Sequence, residues 1–322
     1  MDYNVLGRTG LTVSAIGVGT GGPSRVGLRG GGSRDESVRV VRLALDTGVN
    51  FIDTAEAYDT EDVVARSIDG VRRDTIVVST KISSWESFDT SSPQAAERAV
   101  MDAVDGRLRA IGTDYIDVCH FHGVQIDSYD TVAERLLPGL IRAREAGKVR
   151  FIGITEAFNA DPDHRALVRA LDDEPWDVMM VGFNILNQSA RERVFPRTLA
   201  NGVGVLGMFA VRLALSRIER LREVIGELLS DGSITRDELE AVGGTPDDPL
   251  GWVVRESGAE SLVDAAYRLV RHDAAMHVTL SGTGSAEHLM ANIESVQRPP
   301  LPPHVTDRLS RLFARVDHVS GQ

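Results

Sequence analysis

The chain has 322 residues, with 47 acidic against 35 basic side chains and a formal charge of −12. That balance speaks against a nucleic-acid partner, because phosphate binding needs clustered positive charge. One cysteine, Cys119, excludes an internal disulfide, no apolar run approaches the roughly 20 residues of a membrane helix, and no secretion signal opens the sequence, so a cytoplasmic enzyme or small-molecule binder is expected.

Residues 3–6 and 11–14 flank Gly7-Arg8-Thr9-Gly10 and read as a β-hairpin. Eight short apolar runs follow as strand candidates, at 14–19, 49–53, 75–81, 115–122, 149–155, 177–183, 203–208 and 277–281. Between them lie helical patterns such as 36–47, 93–111 opened by Ser92 as N-cap, and 131–146 stopped by Gly147. Strict alternation implies parallel strands joined by right-handed crossovers, and eight units in this length predict an α/β fold, a closed (β/α)8 TIM barrel. The whole chain, 1–322, reads as one domain, with the N-terminal hairpin plugging the barrel floor. An insertion after the seventh strand, about 212–257, carries an amphipathic pattern through Leu215, Ile218, Leu221, Ile225 and Leu228 and should lie on the catalytic face. Beyond a proline-rich stretch, Val305, Leu309, Leu312, Phe313 and Val316 share one face of a C-terminal helix expected to pack on the barrel wall.

Gly17-Val-Gly-Thr-Gly-Gly22 has the spacing of a dinucleotide-binding turn. No helix opens on its last glycine, however, and Asp53 comes 31 residues after Gly22 instead of about 20. A glycine-rich loop over the barrel mouth, able to bring its backbone close to a flat ligand, accounts for it better.

Of the 35 basic residues only Lys81 and Lys148 are lysines. Arginine evidently serves wherever a positive charge faces water, so a lysine ending a buried strand is a candidate for proton chemistry. Three successive strand candidates end in Asp53, Lys81 and His122, with Tyr58 shortly after the first. Parallel strands would bring these ends to one site. There an ammonium beside the phenol lowers its pKa from about 10, and Asp53 keeps that ammonium charged. Tyr58 then gives a proton to a carbonyl oxygen, and His122 orients the carbonyl. Each residue also has a plainer reading: Asp53 as a cap, Tyr58 as a half-buried aromatic, His122 as a structural histidine. His120 points to the same side as His122, while Cys119 points away, so no metal site is expected. With no nucleophile and no metal cage, hydride from a nicotinamide is the economical reductant.

Phe51-Ile-Asp-Thr-Ala-Glu-Ala-Tyr58, Ser79-Thr-Lys-Ile-Ser83, Tyr115-Ile-Asp-Val-Cys-His-Phe-His122, Gly147-Lys-Val-Arg-Phe-Ile-Gly-Ile-Thr155 and the stretch from Ser281 to Asn292 together resemble the aldo-keto reductase superfamily. The resemblance implies a barrel binding NADP or NAD across the strand C-termini and a small carbonyl or alcohol substrate. It also implies a tetrad of Asp53, Tyr58, Lys81 and His122, with tyrosine as general acid. Cofactor contacts would fall on Thr20, Gly21, Asp53, Thr155, Glu156, Met180, Met208, Phe209, Ser281, Gly282, Thr283, Gly284, His288 and Asn292. Thr155-Glu156 stand where the family has Ser-Asn, and Met180 where it has glutamine. The nicotinamide-stacking aromatic is Phe183 or Phe209. Gly282 and His288 stand where many members carry cations for the 2′-phosphate, so Arg212 or Arg217 would have to replace them. The backbone of 282–285, at a helix N-terminus, is still suited to a phosphate. Trp85 and Phe88 are candidates to line an aromatic substrate pocket. Two other readings remain open: a nucleotide-binding sensor with little turnover, suggested by Glu156 and Met180, and a Schiff-base enzyme using Lys81.

Overall fold

The computed structural model describes residues 1–174 and 176–322. Two short antiparallel strands, β1 (Tyr3–Val5) and β2 (Thr12–Ser14), form the expected hairpin. Eight parallel strands then close into a barrel: β3 (Ile16–Gly19), β4 (Phe51–Asp53), β5 (Val77–Ile82), β6 (Ile116–Val124), β7 (Val149–Glu156), β8 (Val178–Gly182), β9 (Gly204–Met208) and β10 (Val278–Ser281), the last pairing with β3. Each falls on one of the eight apolar runs. Because side chains alternate along a strand, Phe51, Val77, Val118, Val178, Leu206 and Val278 point inward and fill the barrel interior.

The hairpin closes the floor, as expected. Leu6, Leu11 and Val13 join that interior cluster, and the turn presses on the start of β9, where the Arg8 N–H donates to the Gly202 carbonyl at 2.6 Å. A Cβ on Gly7 would come within 2.4 Å of the Gly204 nitrogen, and its φ of +48° also favours glycine.

Helices cover the outside. The first runs Arg34–Asp46, starting earlier than the apolar pattern because Ser33 and Glu36 form a reciprocal cap. The helix expected at 131–146 is interrupted: a turn at Ile126–Thr131 leads through a wider π turn, Val132–Leu136, into Leu137–Glu145. Pro138 has no N–H for the carbonyl four residues back, and the widened turn takes up that mismatch. The insertion comprises four helices, Leu213–Ser216, Ile218–Ser230, Arg236–Ala241 and Gly251–Ser257. Its amphipathic pattern is thus divided: Leu215 belongs to the first helix and Ile218 is exposed, while Leu221, Ile225 and Leu228 are buried. The C-terminal helix, Pro303–Leu312, buries Val305, Leu309 and Leu312, with Phe313 and Val316 behind it. It packs against insertion helix Gly251–Ser257, where Arg308 stacks 4.1 Å above the Trp252 ring, and it meets the outer layer of the barrel through Ser310, which donates to Gln188 at 3.0 Å and accepts from Arg191 at 2.9 Å.

Candidate active site

Asp53 ends β4 and Lys81 is the penultimate residue of β5, so both reach the C-terminal mouth of the barrel. Lys81 is fully buried; its Nζ donates to Asp53 Oδ2 at 2.6 Å and to the Thr54 carbonyl at 2.9 Å. Burial works to discharge the ammonium, but the Asp53 carboxylate and the Tyr58 oxygen outweigh it and hold the lysine pKa above its ordinary value. Burial pushes Asp53 the other way, up from the usual carboxylate range, against the pull of Lys81 and of the Ser79 hydroxyl at 2.9 Å. At 2.6 Å each charge stabilises the other and opposes the cost of burying both.

Tyr58 ends a short turn, Glu56–Tyr58, just after β4. Lys81 Nζ lies 4.9 Å from its ring centre, and its hydroxyl is 3.4 Å from His122 Nε2. The expected drop in the phenol's pKa does not appear. Burial dominates and raises it, with Lys81 only opposing that rise. Tyr58 is therefore held in its protonated form, the form a proton donor needs.

His122 lies inside β6, which continues to Val124, so it does not end its strand. Its Nδ1 is 2.7 Å from the Ser83 hydroxyl, and its backbone carbonyl accepts the Trp85 indole N–H at 2.8 Å. Burial, helped by Lys81, lowers its pKa to about 3, so the imidazole is neutral. His120 sits one layer deeper, level with Lys81 in the β5–β6 register, with Nε2 3.1 Å from Ser79. It fits there because Gly153 has no side chain; a Cβ would meet the ring at 2.2 Å.

Ser83 and Glu56 were not singled out from the sequence. Glu56 Oε2 accepts the N–H groups of Ser83 and Ser84, each at 3.2 Å, while Arg107 reaches Oε1 at 3.2 Å. Glu56 thus ties the turn carrying Tyr58 to the loop carrying Ser83. Contacts of this kind join residues far apart in the chain, and no spacing rule announces them.

The cofactor candidates divide. Gly21 lies directly on Tyr58, since a Cβ would come within 2.4 Å of its ring. Gly27 and Gly284 bring the glycine-rich loop and the last loop into backbone contact, and Gly282 faces the Gly19 carbonyl. Ser285 caps the helix Ala286–Gln297, with Thr283 accepting its N–H and His288 exposed in the first turn. Other candidates already have partners inside the chain. The Thr20 hydroxyl pairs with Thr60, Thr155 accepts from Gly123, and Ser281 accepts from Tyr267 and Asn292. Glu156 accepts the Gly182 N–H at 2.6 Å and pairs with His164 at 2.8 Å, while burial raises its pKa.

Met180 and Met208 line the barrel interior beside Phe158, and Phe209 packs against them. Phe183 turns outward, its ring 5.1 Å from Phe195, which leaves Phe209 as the aromatic at the mouth. Phe209 stacks on Phe158 at 6.1 Å, and Phe158 on His164 at 5.6 Å. Trp85 is 4% exposed and clamps the His122 backbone, so it offers little surface to a ligand; Phe88 is half-buried against the outer core.

An eight-stranded parallel barrel with a polar cluster gathered at its C-terminal mouth has the arrangement of a (β/α)8 enzyme. Residues 15–313 match the model of the Aldo/keto reductase family, and the chain belongs to that family. It is 35% identical over 162 residues to the L-galactose dehydrogenase of Arabidopsis thaliana, a match covering 48% of each chain, so it spans about half of that relative's length. With the NADH-specific methylglyoxal reductase of Escherichia coli it shares 27% identity over 269 residues, 78% of this chain and 75% of that one. The aldo/keto reductase of Klebsiella pneumoniae, solved in complex with NADP and acetate, superposes with a TM-score of 0.67 at 21% identity over 97% of this chain and 96% of that one. No helix among the described residues is long and apolar enough to cross a membrane.

Proposed function

We propose that the protein is an NAD(P)H-dependent oxidoreductase that interconverts a small aldehyde, ketone or sugar carbonyl with its alcohol. The observation that carries this reading is the buried Lys81–Asp53 pair set beneath Tyr58, with neutral His122 beside the phenol. The mouth suits a flat dinucleotide. Gly21 lets its loop lie directly on Tyr58, Gly27 and Gly284 let the two mouth loops meet backbone to backbone, and Phe209 offers an aromatic face. A nicotinamide bound there supplies hydride to the carbonyl carbon.

The chain's own residues handle the proton. Tyr58 donates its hydroxyl proton to the carbonyl oxygen. Lys81, fixed by Asp53 and the Thr54 carbonyl, stabilises the phenolate left behind. With Ser83 donating to Nδ1, the Nε2–H of His122 donates to the same carbonyl oxygen and sets its orientation. Asp53 keeps Lys81 protonated, which disfavours the Schiff-base reading. Four groups assembled in contact also give the low-turnover sensor no particular support. The single, fully buried thiol of Cys119 suits a reducing cytosol.

Replacing Tyr58 by Phe removes the proton and keeps the ring. Turnover of an aldehyde panel should fall about 10²–10⁴-fold, while titrations with NADPH and NADH still show binding. Undiminished turnover in that variant rules Tyr58 out as the donor. Absence of binding by either nucleotide to the wild-type protein overturns the whole reading.

A further inference from the structure

Beneath the tetrad the barrel interior holds two polar side chains that the proposed reaction does not use. Ser79 on β5 and His120 on β6 are fully buried, and on their floor side lies an apolar layer that includes Phe51, Val77 and Val118. Parallel register sets Asp53 beside Ser79 and Lys81 beside His120, so three neighbouring strands carry the group. The Ser79 hydroxyl donates to Asp53 Oδ1 at 2.9 Å, and its oxygen lies 3.1 Å from His120 Nε2. Asp53 Oδ2 meanwhile accepts from the Lys81 ammonium at 2.6 Å. His120, Ser79, Asp53 and Lys81 thus form one continuous row.

Counting hydrogens fixes its direction. A hydroxyl has one hydrogen to give, and an ionised carboxylate can only accept. Since Ser79 gives its hydrogen to Asp53, the hydrogen between Ser79 and His120 belongs to Nε2. Burial, helped by Lys81 and His122, holds His120 well below its usual range, so the ring is neutral and carries that single hydrogen. Nδ1 is then a bare acceptor, and it is buried without a hydrogen-bond partner. The opposite tautomer would turn an Nδ1–H towards the Ile154 carbonyl, the backbone group that acts on this ring. It would also oblige Ser79 to donate to His120 and strip Asp53 Oδ1 of its hydroxyl donor. An unpartnered buried nitrogen is costly. A side chain that only filled the hollow over Gly153 would need no nitrogen at all.

We propose that His120 is a positioning residue: by donating to Ser79 it keeps that hydroxyl turned on Asp53, and so fixes the carboxylate that holds Lys81 against Tyr58. The kinetic consequence rests on the oxidoreductase reading, whereas the tautomer does not. In the competing account the imidazole merely fills space.

The test compares Ser79→Ala, His120→Leu, their double variant and His120→Gln with wild type. A carboxylate that loses a hydrogen-bond donor is protonated more readily, so Asp53 should discharge at higher pH. The acid limb of kcat for aldehyde reduction should move up by about one pH unit in Ser79→Ala and in His120→Leu. In both, kcat at neutral pH should fall about tenfold. The double variant should move the limb no further than Ser79→Ala alone, because the same row is cut. His120→Gln, whose amide also offers a hydrogen, should restore most of the loss. An unmoved acid limb in His120→Leu, or a Gln variant no better than the Leu one, overturns the proposal. Nitrogen-15 resonances of labelled histidine supply a reading that needs neither cofactor nor turnover. The His120 ring of wild type, assigned through its contacts with Ser79 and Ile154, should carry hydrogen on Nε2 alone. Hydrogen on Nδ1 overturns the proposal, and this reading decides the matter if the variants do not fold. Should no aldehyde be reduced at all, the oxidoreductase reading fails while the tautomer still judges His120.

Discussion

Lys81 holds its charge out of contact with water because one carboxylate and one carbonyl stand within hydrogen-bond reach. Removing it should be costly twice over. Lys81→Met leaves Asp53 buried and unpaired, and we expect a loss of about 3–5 kcal/mol in denaturant unfolding, with turnover nearly abolished. Adding Asp53→Leu should recover most of the stability and none of the activity; a double variant no more stable than the single one contradicts the pairing argument. The pH profile provides a second check. His122, lowered to about 3, stays neutral above pH 5, and Tyr58, raised above its ordinary value, stays protonated well into the alkaline range. Carbonyl reduction needs both forms, so its rate should be level from about pH 5 to 9 and fall only as Tyr58 ionises, above its usual pKa of about 10. A midpoint near 6.5 that disappears in His122→Asn would show that His122 is not neutral. At this scale the scarcity of lysine was legible. The direction of the Tyr58 shift was not, because desolvation depends on what surrounds a side chain and leaves no trace in spacing.

All eight barrel strands could be found in the sequence because each is a short apolar run between polar helices, a pattern that buried parallel strands cannot avoid. Interruptions were harder to see. The π turn ahead of Pro138 and the break between Ser216 and Ile218 both lie inside continuous helical periodicity. The loops at the mouth were the least legible elements. Arg25, Val26, Asp59, His164 and Phe209 adopt left-handed backbone there, with φ between 44° and 66°, and no glycine marks those positions. Glycine does mark one critical contact. Gly21→Ala would push a methyl to 2.4 Å from the Tyr58 ring and force the phenol away from Lys81. We expect kcat to drop at least tenfold while the melting temperature changes little. Unchanged kcat would mean that the loop bearing Gly21 yields before the tyrosine does.

In the molecule as a whole, the barrel, the insertion and the C-terminal helix share one apolar core that runs from Ala15 to Val316. The one-domain organisation suggested by the sequence predicts a single cooperative unfolding transition. Leu309→Ala, in the C-terminal helix, should lower global stability by about 2–5 kcal/mol. A separate early transition in that variant would show that the helix is a detachable appendage. The same large-scale view gives meaning to the second lysine. Lys148 stands just before β7, on the floor side, paired with Asp105 at 2.5 Å and with about a third of its side chain in solvent, whereas Lys81 has none. It is the one lysine amine that a reagent in water can reach. Coupling chemistry aimed at lysine should therefore attach this protein to a bead or electrode by its base, leaving every tethered copy with its mouth turned towards the solution.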